Sequence, residues 1–336
     1  MQKRDIIMTT VRLIDIARRV GVSSGTVSAV LSGRDIGIRF SAEKAEEIRA
    51  VARELNYVPN ISARILNHQA SFTLGVMIDS EDSPVRFRQL AAIERAANLR
   101  GYRLLVTETH NDPVSQRKNY LTLKQYGVDG VICHSNTLAD TPVLEDKTVF
   151  YGAAPVAGYS TAYYDIGAAY AEAAAFFAGD RRRTALVISD NMNYDSVRAR
   201  RGAFLAHFPD AGDRLYQLRL TDDHRSDIRN SMAELLEQQL LPAGINAVIL
   251  QNDSWCLALA AEATRCGLKV PADLALIGQD NSLFCACNRP ALSSIDSNLQ
   301  ALGEAVLELM LERIAQADVP VRSIAVPTKL VLREST

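Results

Sequence analysis

The sequence predicts an all-α head followed by a larger α/β body of two lobes, each a parallel sheet flanked by helices. Three observations predict this. The first 60 residues hold only helical apolar spacing and turns. From Phe72 onward strand patterns and helix patterns alternate, and repeated βα units demand parallel pairing with helices on both faces. At 336 residues the chain is also too long for one core, and the α/β part exceeds what one mononucleotide-type sheet uses, so two lobes are expected.

In the head, Leu13, Ile16, Ala17 and Val20 fall on one helical face, and Gly21 stops that helix as a residue free to take positive φ. Ser23 is placed to cap a second helix whose inner face is Val27, Val30 and Leu31. After the loop "SGRDIGIRF", Ser41 caps a third helix with Ile48, Val51, Ala52 and Leu55 as its buried stripe; Pro59 ends the pattern. Asn60 to Gln69, "NISARILNHQ", reads as a short hinge helix or linker, too short to stand alone in water. The expected division is therefore a head at 10–58, a hinge at 59–70 and a body at 71–333. Within the body the first lobe is expected at about 71–164 and 297–318, and the second at about 165–296 and 319–333.

The body pattern runs in order through "TLGVMID" (strand), "RFRQLAAIERAANLRG" (helix), "YRLLVTE" (strand), "SQRKNYLTLKQYG" (helix) and "VDGVICH" (strand). Later come the strands "TALVISD", "INAVILQND" and "LALIGQD" and the helix "SWCLALAAEATRCG". In open α/β sheets ligands lie beyond the carboxyl ends of strands. The ends "MIDSEDS", "ISDNMN", "LQND" and "IGQDNS" are all polar.

Charge divides the chain in the same place. The first 70 residues carry eleven Lys/Arg against seven Asp/Glu, +4 in a chain of net charge −2, so the remainder carries −6. A basic head on an acidic body is expected when only the head meets a polyanion. Five scattered cysteines (133, 256, 266, 285 and 287), and no apolar stretch of a signal peptide or membrane span, predict reduced thiols and a cytoplasmic, nucleoid-associated protein. Cys285-Ala-Cys287 has the wrong spacing for a zinc knuckle and the histidines are isolated, so neither metal nor cofactor is expected. Met1 and Met8 both stand as candidate starts.

Ala17 is small where a second helix must cross closely, Gly21 follows four residues on, and Val27 six further faces back inward. This spacing resembles a helix-turn-helix, whose second helix enters the DNA major groove amino end first. Ser23, Thr26, Ser28 and Ser32 are the candidate phosphate contacts, aided by the amide groups and dipole of the helix start.

With "VRLIDIARRVGVSSGTVSAVLSG" and "FSAEKAEEIRAVARELNYVPNISARIL", the head resembles that of the LacI/GalR family of bacterial transcriptional regulators. "GVMIDSEDSP", "RTALVIS", "VRARRGAF", "GINAVILQND", "GLKVPADLALIGQDN" and "RPALSSID" extend the resemblance over residues 10–333 to that family's periplasmic-binding-protein-like body. It implies a homodimer on a pseudopalindromic double-stranded operator, with a small sugar or sugar-derivative effector between the lobes. The chain stops at "VLREST" without the heptad tail of tetrameric members, which makes the dimer the expected state. The family's base-reading positions match Ser24, Gly25 and Ala29. None is a long bidentate donor, so weak direct readout is expected. The resemblance also implies that Leu66 of the hinge wedges a minor-groove step open, flanked by Arg64 and Asn67.

Effector contacts implied by the resemblance fall on Asp165, Arg200, Asn252 and Asp280. Where the family often reads "PFF", this chain reads Pro84-Val85-Arg86. A lost aromatic face and a gained cation predict an acidic or phosphorylated sugar, with Arg86 as a further contact. The competing reading is a kinase-like enzyme, because "YYDIGAA" superficially resembles the Asp-x-Gly phosphate loop of sugar kinases. Asp165 sits mid-body, however, and no Gly-rich phosphate loop, serine elbow or Cys–His arrangement is present. The expectation is a repressor and not an enzyme.

Overall fold

The computed structural model describes residues 11–32, 40–58, 70–78, 85–110, 112–135, 147–190, 192, 194–218, 228–316 and 318–336. Contacts divide the chain into two units, residues 1–69 and 70–336.

In the first unit, helix α1 spans Leu13–Val20, α2 Ser24–Ser32 and α3 Ala42–Glu54. Ile16, Val27 and Ile48, one from each helix, are fully buried and form the centre of a small core with Ala17, Val20, Val30, Ala45 and Ala52. α1 stops at Gly21, whose φ of 73° is left-handed; the Gly21 and Val22 amides both donate to the Ala17 carbonyl, at 2.9 and 3.1 Å. Lys44 of α3 donates its Nζ to the Val20 carbonyl at 2.8 Å. This satisfies an orphaned carbonyl at the end of α1 and ties the third helix to the turn. The amide of Lys44 itself donates to the capping Ser41 hydroxyl at 3.1 Å.

The second unit contains two six-stranded sheets. The strands are β1 (Thr73–Ile78), β2 (Arg103–Glu108), β3 (Gly130–His134), β4 (Thr148–Gly152), β5 (Ser160–Tyr164), β6 (Thr184–Ser189), β7 (Leu215–Leu218), β8 (Ala247–Leu250), β9 (Ala275–Gln279), β10 (Ser293–Asp296), β11 (Ser323–Val326) and β12 (Lys329–Val331). The first sheet has the order β11-β5-β4-β3-β1-β2 and is parallel throughout. The second has the order β12-β10-β9-β8-β6-β7 and is parallel except for β12, which runs antiparallel to β10. The described α-helices of this unit are α4 (Val85–Leu99), α5 (Pro113–Gln125), α6 (Ile166–Gly179), α7 (Asp195–His207), α8 (Ile228–Leu235), α9 (Asp253–Arg265), α10 (Leu283–Cys287) and α11 (Leu299–Ala315). Central strands β3, β4, β8 and β9 are buried at every residue, as expected of parallel sheets covered on both faces.

One expected boundary is corrected. Residues 319–333 do not all belong to the second lobe, because β11 pairs with β5 in the first sheet, Ile324 opposite Ala162. The chain therefore crosses between lobes three times, after β5, after β10 and between β11 and β12. All three connections are short: one residue separates β5 from the next helix, and two residues each separate β10 from the next helix and β11 from β12.

α11 returns to the first lobe and packs on α4 through Gly303. A Cβ built there would lie 2.4 Å from the Ala92 carbonyl oxygen and 2.6 Å from its carbon, both rigid backbone atoms. Gly303→Ala is therefore expected to destabilise the body by about 1–3 kcal/mol, the usual range for overpacking. Urea unfolding should show a lower midpoint with unchanged slope; an unchanged midpoint would contradict the close approach.

Candidate functional site

Two surfaces carry the sequence-predicted residues, one in each unit. At the start of α2 the Ser23 hydroxyl accepts the Thr26 amide at 3.1 Å and shares a 2.9 Å hydrogen bond with the Thr26 hydroxyl. Only one proton is used between those two hydroxyls, so the other stays available to an outside acceptor. Ser23 and Gly25 are exposed, and Ser24, Thr26 and Ser28 are half-buried. Ser32 lies at the last position of α2. A Cβ added to Gly25 would meet only the Ser23 Oγ, at an ordinary 3.6 Å, so packing does not demand glycine there. The structure corrects one position: Ala29 is 2% exposed. A methyl with no accessible surface cannot touch a thymine methyl, so Ala29 belongs to the interior of the head. Arg64, Leu66 and Asn67 lie outside the described residues.

In the body a cavity of about 130 Å³ lies between the two lobes. Many of its lining residues come at or just beyond the carboxyl ends of strands: His134 of β3, Gly152 and Ala153 of β4, Tyr164 of β5, Gln251 and Asn252 of β8, Gln279 and Asp280 of β9, and Ser297 of β10. Arg86 and Gln89 enter from the first turns of α4, and Ser196, Val197 and Arg200 from α7. Arg86, Arg200, Asn252 and Asp280 are thus brought together. Asp165 is not: it is exposed, its carboxylate accepts the Ala168 amide at 2.9 Å as the cap of α6, and it does not line the cavity. The expected effector contact at Asp165 is corrected to a helix cap.

On the second-lobe wall, Arg200 is 7% exposed. Its Nε and Nη2 both donate to the Gln279 Oε1, at 3.2 and 2.8 Å, and its guanidinium lies 5.4 Å from the centre of the Tyr170 ring. The Gln279 amide nitrogen is left as a donor. The Asn252 Oδ1 caps α9 by accepting the Trp255 amide at 2.9 Å, and the Gln251 Oε1 accepts the Ser189 amide at 2.7 Å. Both side chains thus spend their acceptor on the scaffold and keep an NH₂ for the cavity.

On the first-lobe wall, Arg86 donates to the Nε2 of His134 and, at 3.4 Å, to the Gln89 Oε1; the Gln89 Nε2 in turn donates to the Tyr164 hydroxyl at 2.8 Å. A guanidinium only donates, so His134 must accept at Nε2 and is neutral. Burial and the adjacent Arg86 charge hold its pKa well below the ordinary imidazole value.

Asp280 joins the two walls. Arg88 of α4 donates to its carbonyl oxygen at 2.6 Å and to that of Asn281 at 3.4 Å, a hydrogen bond that spans the lobes. Asp280 and Asn281 have φ of 102° and 43°, consecutive left-handed residues that only a constrained setting maintains. Burial, with the Asp253 charge beneath, raises the Asp280 carboxyl to about 7 despite the opposing pull of Arg200, Arg88 and Arg86. Asp253 itself is a support: its carboxylate accepts the Ser294 hydroxyl and the Ser282 amide, each at 2.6 Å. A Cβ on Gly278 would fall 2.5 Å from its Oδ1. Sequence reading missed His134, Gln89, Gln251, Gln279 and the lobe-spanning Arg88. Among the described residues no group of His, Cys, Asp and Glu could hold a metal ion, and no helix is long and apolar enough to cross a membrane.

A helix-turn-helix head joined to a two-lobed body with a polar cleft at its strand ends defines a DNA-binding regulator with an effector-binding domain. Residues 12–60 match the family model of bacterial regulatory proteins of the lacI family, and residues 173–336 match the periplasmic binding protein-like domain. The chain accordingly carries a lacI-family helix-turn-helix head and a periplasmic-binding-protein-like domain. It is 28% identical to the ribose operon repressor of Escherichia coli (strain K12) over 317 residues, covering 90% of this chain and 92% of that one. It is also 28% identical to the HTH-type transcriptional repressor PurR of Erwinia tasmaniensis over 339 residues, covering 98% and 97%. In fold it resembles the Lac repressor dimer bound to operator and the anti-inducer ONPF, with a TM-score of 0.81 at 21% identity over 97% of this chain and 99% of that one. The CelR–cellobiose complex gives a TM-score of 0.66 at 21% identity, covering 97% and 100%.

The raised Asp280 carboxyl has a consequence for stability. A carboxyl that holds its proton more tightly in the folded state favours folding fully below its unfolded pKa of about 4, and that advantage is lost as pH rises towards 7. Asn keeps the shape and tolerates left-handed backbone without the charge. Asp280→Asn is expected to raise Tm relative to the parent at pH 8, with the difference shrinking steadily by pH 4.5. A difference that does not vary with pH would contradict the assignment.

Proposed function

We propose that the protein is a transcriptional repressor that binds a pseudopalindromic operator as a homodimer, and that a small carbohydrate or sugar derivative in the interlobe cleft modulates its operator affinity. The observation that carries the reading is one cleft whose polar walls come from both lobes and meet through Arg88 and Asp280. A ligand filling that space touches both lobes at once, and a ligand shifts a conformational equilibrium only through such differential contact. Relatives named ribose operon repressor and HTH-type transcriptional repressor PurR support the repressor reading, and the neighbours described with ONPF and cellobiose support a sugar-like effector. Asp165 supports a sensor over a kinase-like enzyme, since its carboxylate is used to cap α6 and does not line the cleft, although its neighbours Tyr164 and Ile166 do.

At the DNA, Ser23, Thr26, Ser28 and Ser32 position α2 on phosphates, while Ser24 and Gly25 face the bases. With Ala29 withdrawn into the interior, direct readout is weaker still, and the minor-groove hinge, Leu66 with Arg64 and Asn67, carries the larger share. Selection of bound duplexes from random sequence, with and without sugars, tests the whole reading: a twofold-symmetric site whose recovery changes with one ligand class is expected. An asymmetric site, or none, would contradict it.

The division of labour at the DNA is tested by fluorescence anisotropy on the selected duplex. Leu66→Ala is expected to weaken binding by about tenfold or more, equivalent to about 1.4 kcal/mol, and Ser24→Ala by much less. Gly25→Ala replaces the second residue of α2, in its first turn, and should stabilise the head by up to about 0.5 kcal/mol. If that stabilised variant also binds the duplex less well, the bare Gly25 backbone lies close to DNA. Equal, small losses for Leu66→Ala and Ser24→Ala would overturn the hinge assignment.

A further inference from the structure

We infer that the interlobe cleft is an oxyanion site: the effector carries a carboxylate or phosphate group that is gripped between Arg86 of the first lobe and Arg200 of the second. This rests on the reading of the cleft as the effector site and adds the chemical class of its occupant.

The argument is one of missing counter-charge. Both guanidinium groups line the same cavity, yet their partners are neutral: His134 and Gln89 for Arg86, Gln279 for Arg200. Among the described residues neither forms an ion pair. Elsewhere the chain does supply its arginines with carboxylates: at the surface Arg19 with Glu54 and Arg322 with Glu308 and Glu312, and Arg265 with the exposed Glu237 and the buried Glu262. Cations enclosed without an opposite charge cost free energy unless something neutralises them. Placed on two lobes that close on a ligand, they are an incomplete binding site and not an accident of solvation.

The other described charged groups around the cleft do not supply the balance. Arg88 adds a third cation next to Asp280. His134 is neutral, and Tyr164 is held in its protonated form by burial. Asp253 has both oxygens committed to Ser294 and Ser282. Among the described residues Asp280 is the one carboxyl in the lining, and near neutral pH it is only partly ionised. Among the described residues, three guanidinium groups thus stand around one partly ionised carboxyl, with Asp253 already hydrogen-bonded behind it. The donor set suits an anion: Arg forks bind planar or tetrahedral oxyanions in a charge-assisted, oriented way, and the amide groups of Gln279, Asn252 and Gln251 can donate to a sugar's oxygens alongside.

The full chain is tested by thermal unfolding at fixed ionic strength. Sodium sulfate against sodium chloride probes the anion alone. Galacturonate against galactose, and ribose 5-phosphate against ribose, separate carboxylate from phosphate as the source. Sulfate and one of the two anionic sugars are expected to raise Tm by several degrees over their controls. In Arg86→Gln that increment should fall to the small general effect of sulfate on any folded protein, with affinity reduced at least tenfold, while the unliganded Tm is unchanged or higher. The Arg200→Gln variant should lose the same increment. Equal sulfate stabilisation of the parent and of Arg86→Gln would overturn the proposal, as would a neutral sugar that stabilises as well as its anionic counterpart. Failure of the two readings is distinguishable. Neutral sugars that alter operator binding would leave the regulator intact and remove the anion. An anion response lost in Arg86→Gln but without effect on operator binding would do the reverse.

Discussion

The common direction of the parallel strands is the constraint on which this structure depends. A parallel strand leaves its last carbonyls and the following loop at one edge of the sheet, and in this chain the lining of the interlobe cavity is drawn from those edges in both lobes. The strand-end polar groups are placed there by backbone geometry before any ligand arrives, and Arg86 and Arg200 join them from α4 and α7. Asn252 and Gln251 illustrate it: each uses its oxygen to close a strand end or helix start and offers its nitrogen to the cleft. Position is therefore set by the sheet, and chemistry by which residue happens to follow each strand.

That arrangement also explains where the molecule tolerates strain. Consecutive positive φ values at Asp280 and Asn281 sit where a strand end of the second lobe meets a helix of the first, through Arg88. The chain crosses between lobes three times, so any closure must be shared among three short connections. A lobe-spanning hydrogen bond to backbone carbonyls, beside a carboxyl poised near neutrality, makes the interlobe contact sensitive to whatever charge enters the cleft.

Much of this was legible in the sequence because the relevant signals are local. Gly21, Ser23 and Ser41 mark turns and caps by their own backbone and side-chain chemistry, and all three behave so. The polar strand ends at residues 251–253 and 279–281 stood out against apolar runs. What was illegible depends on facing and long-range pairing. Ala29 reads as outward if a helix is taken alone, yet it is buried. Asp165 looks like a ligand contact by type, but an aspartate just before a helix serves equally as its cap, and here it does. β11 was assigned to the wrong lobe because four residues of strand pattern do not say which sheet edge they will join. His134 was visible as the polar end of "GVICH"; only its contact with Arg86, 48 residues away in sequence, gives it a role.

The central claim is that the cleft lacks a negative charge that its ligand brings. The most direct measurement is a crystal structure of the full chain with its bound effector, obtained by co-purification or by soaking the sugar that stabilises it. The account predicts a carboxylate or phosphate within hydrogen-bonding reach of both Arg86 and Arg200. An uncharged ligand between those two arginines, or an anionic one bound with its charge turned away from them, would contradict it.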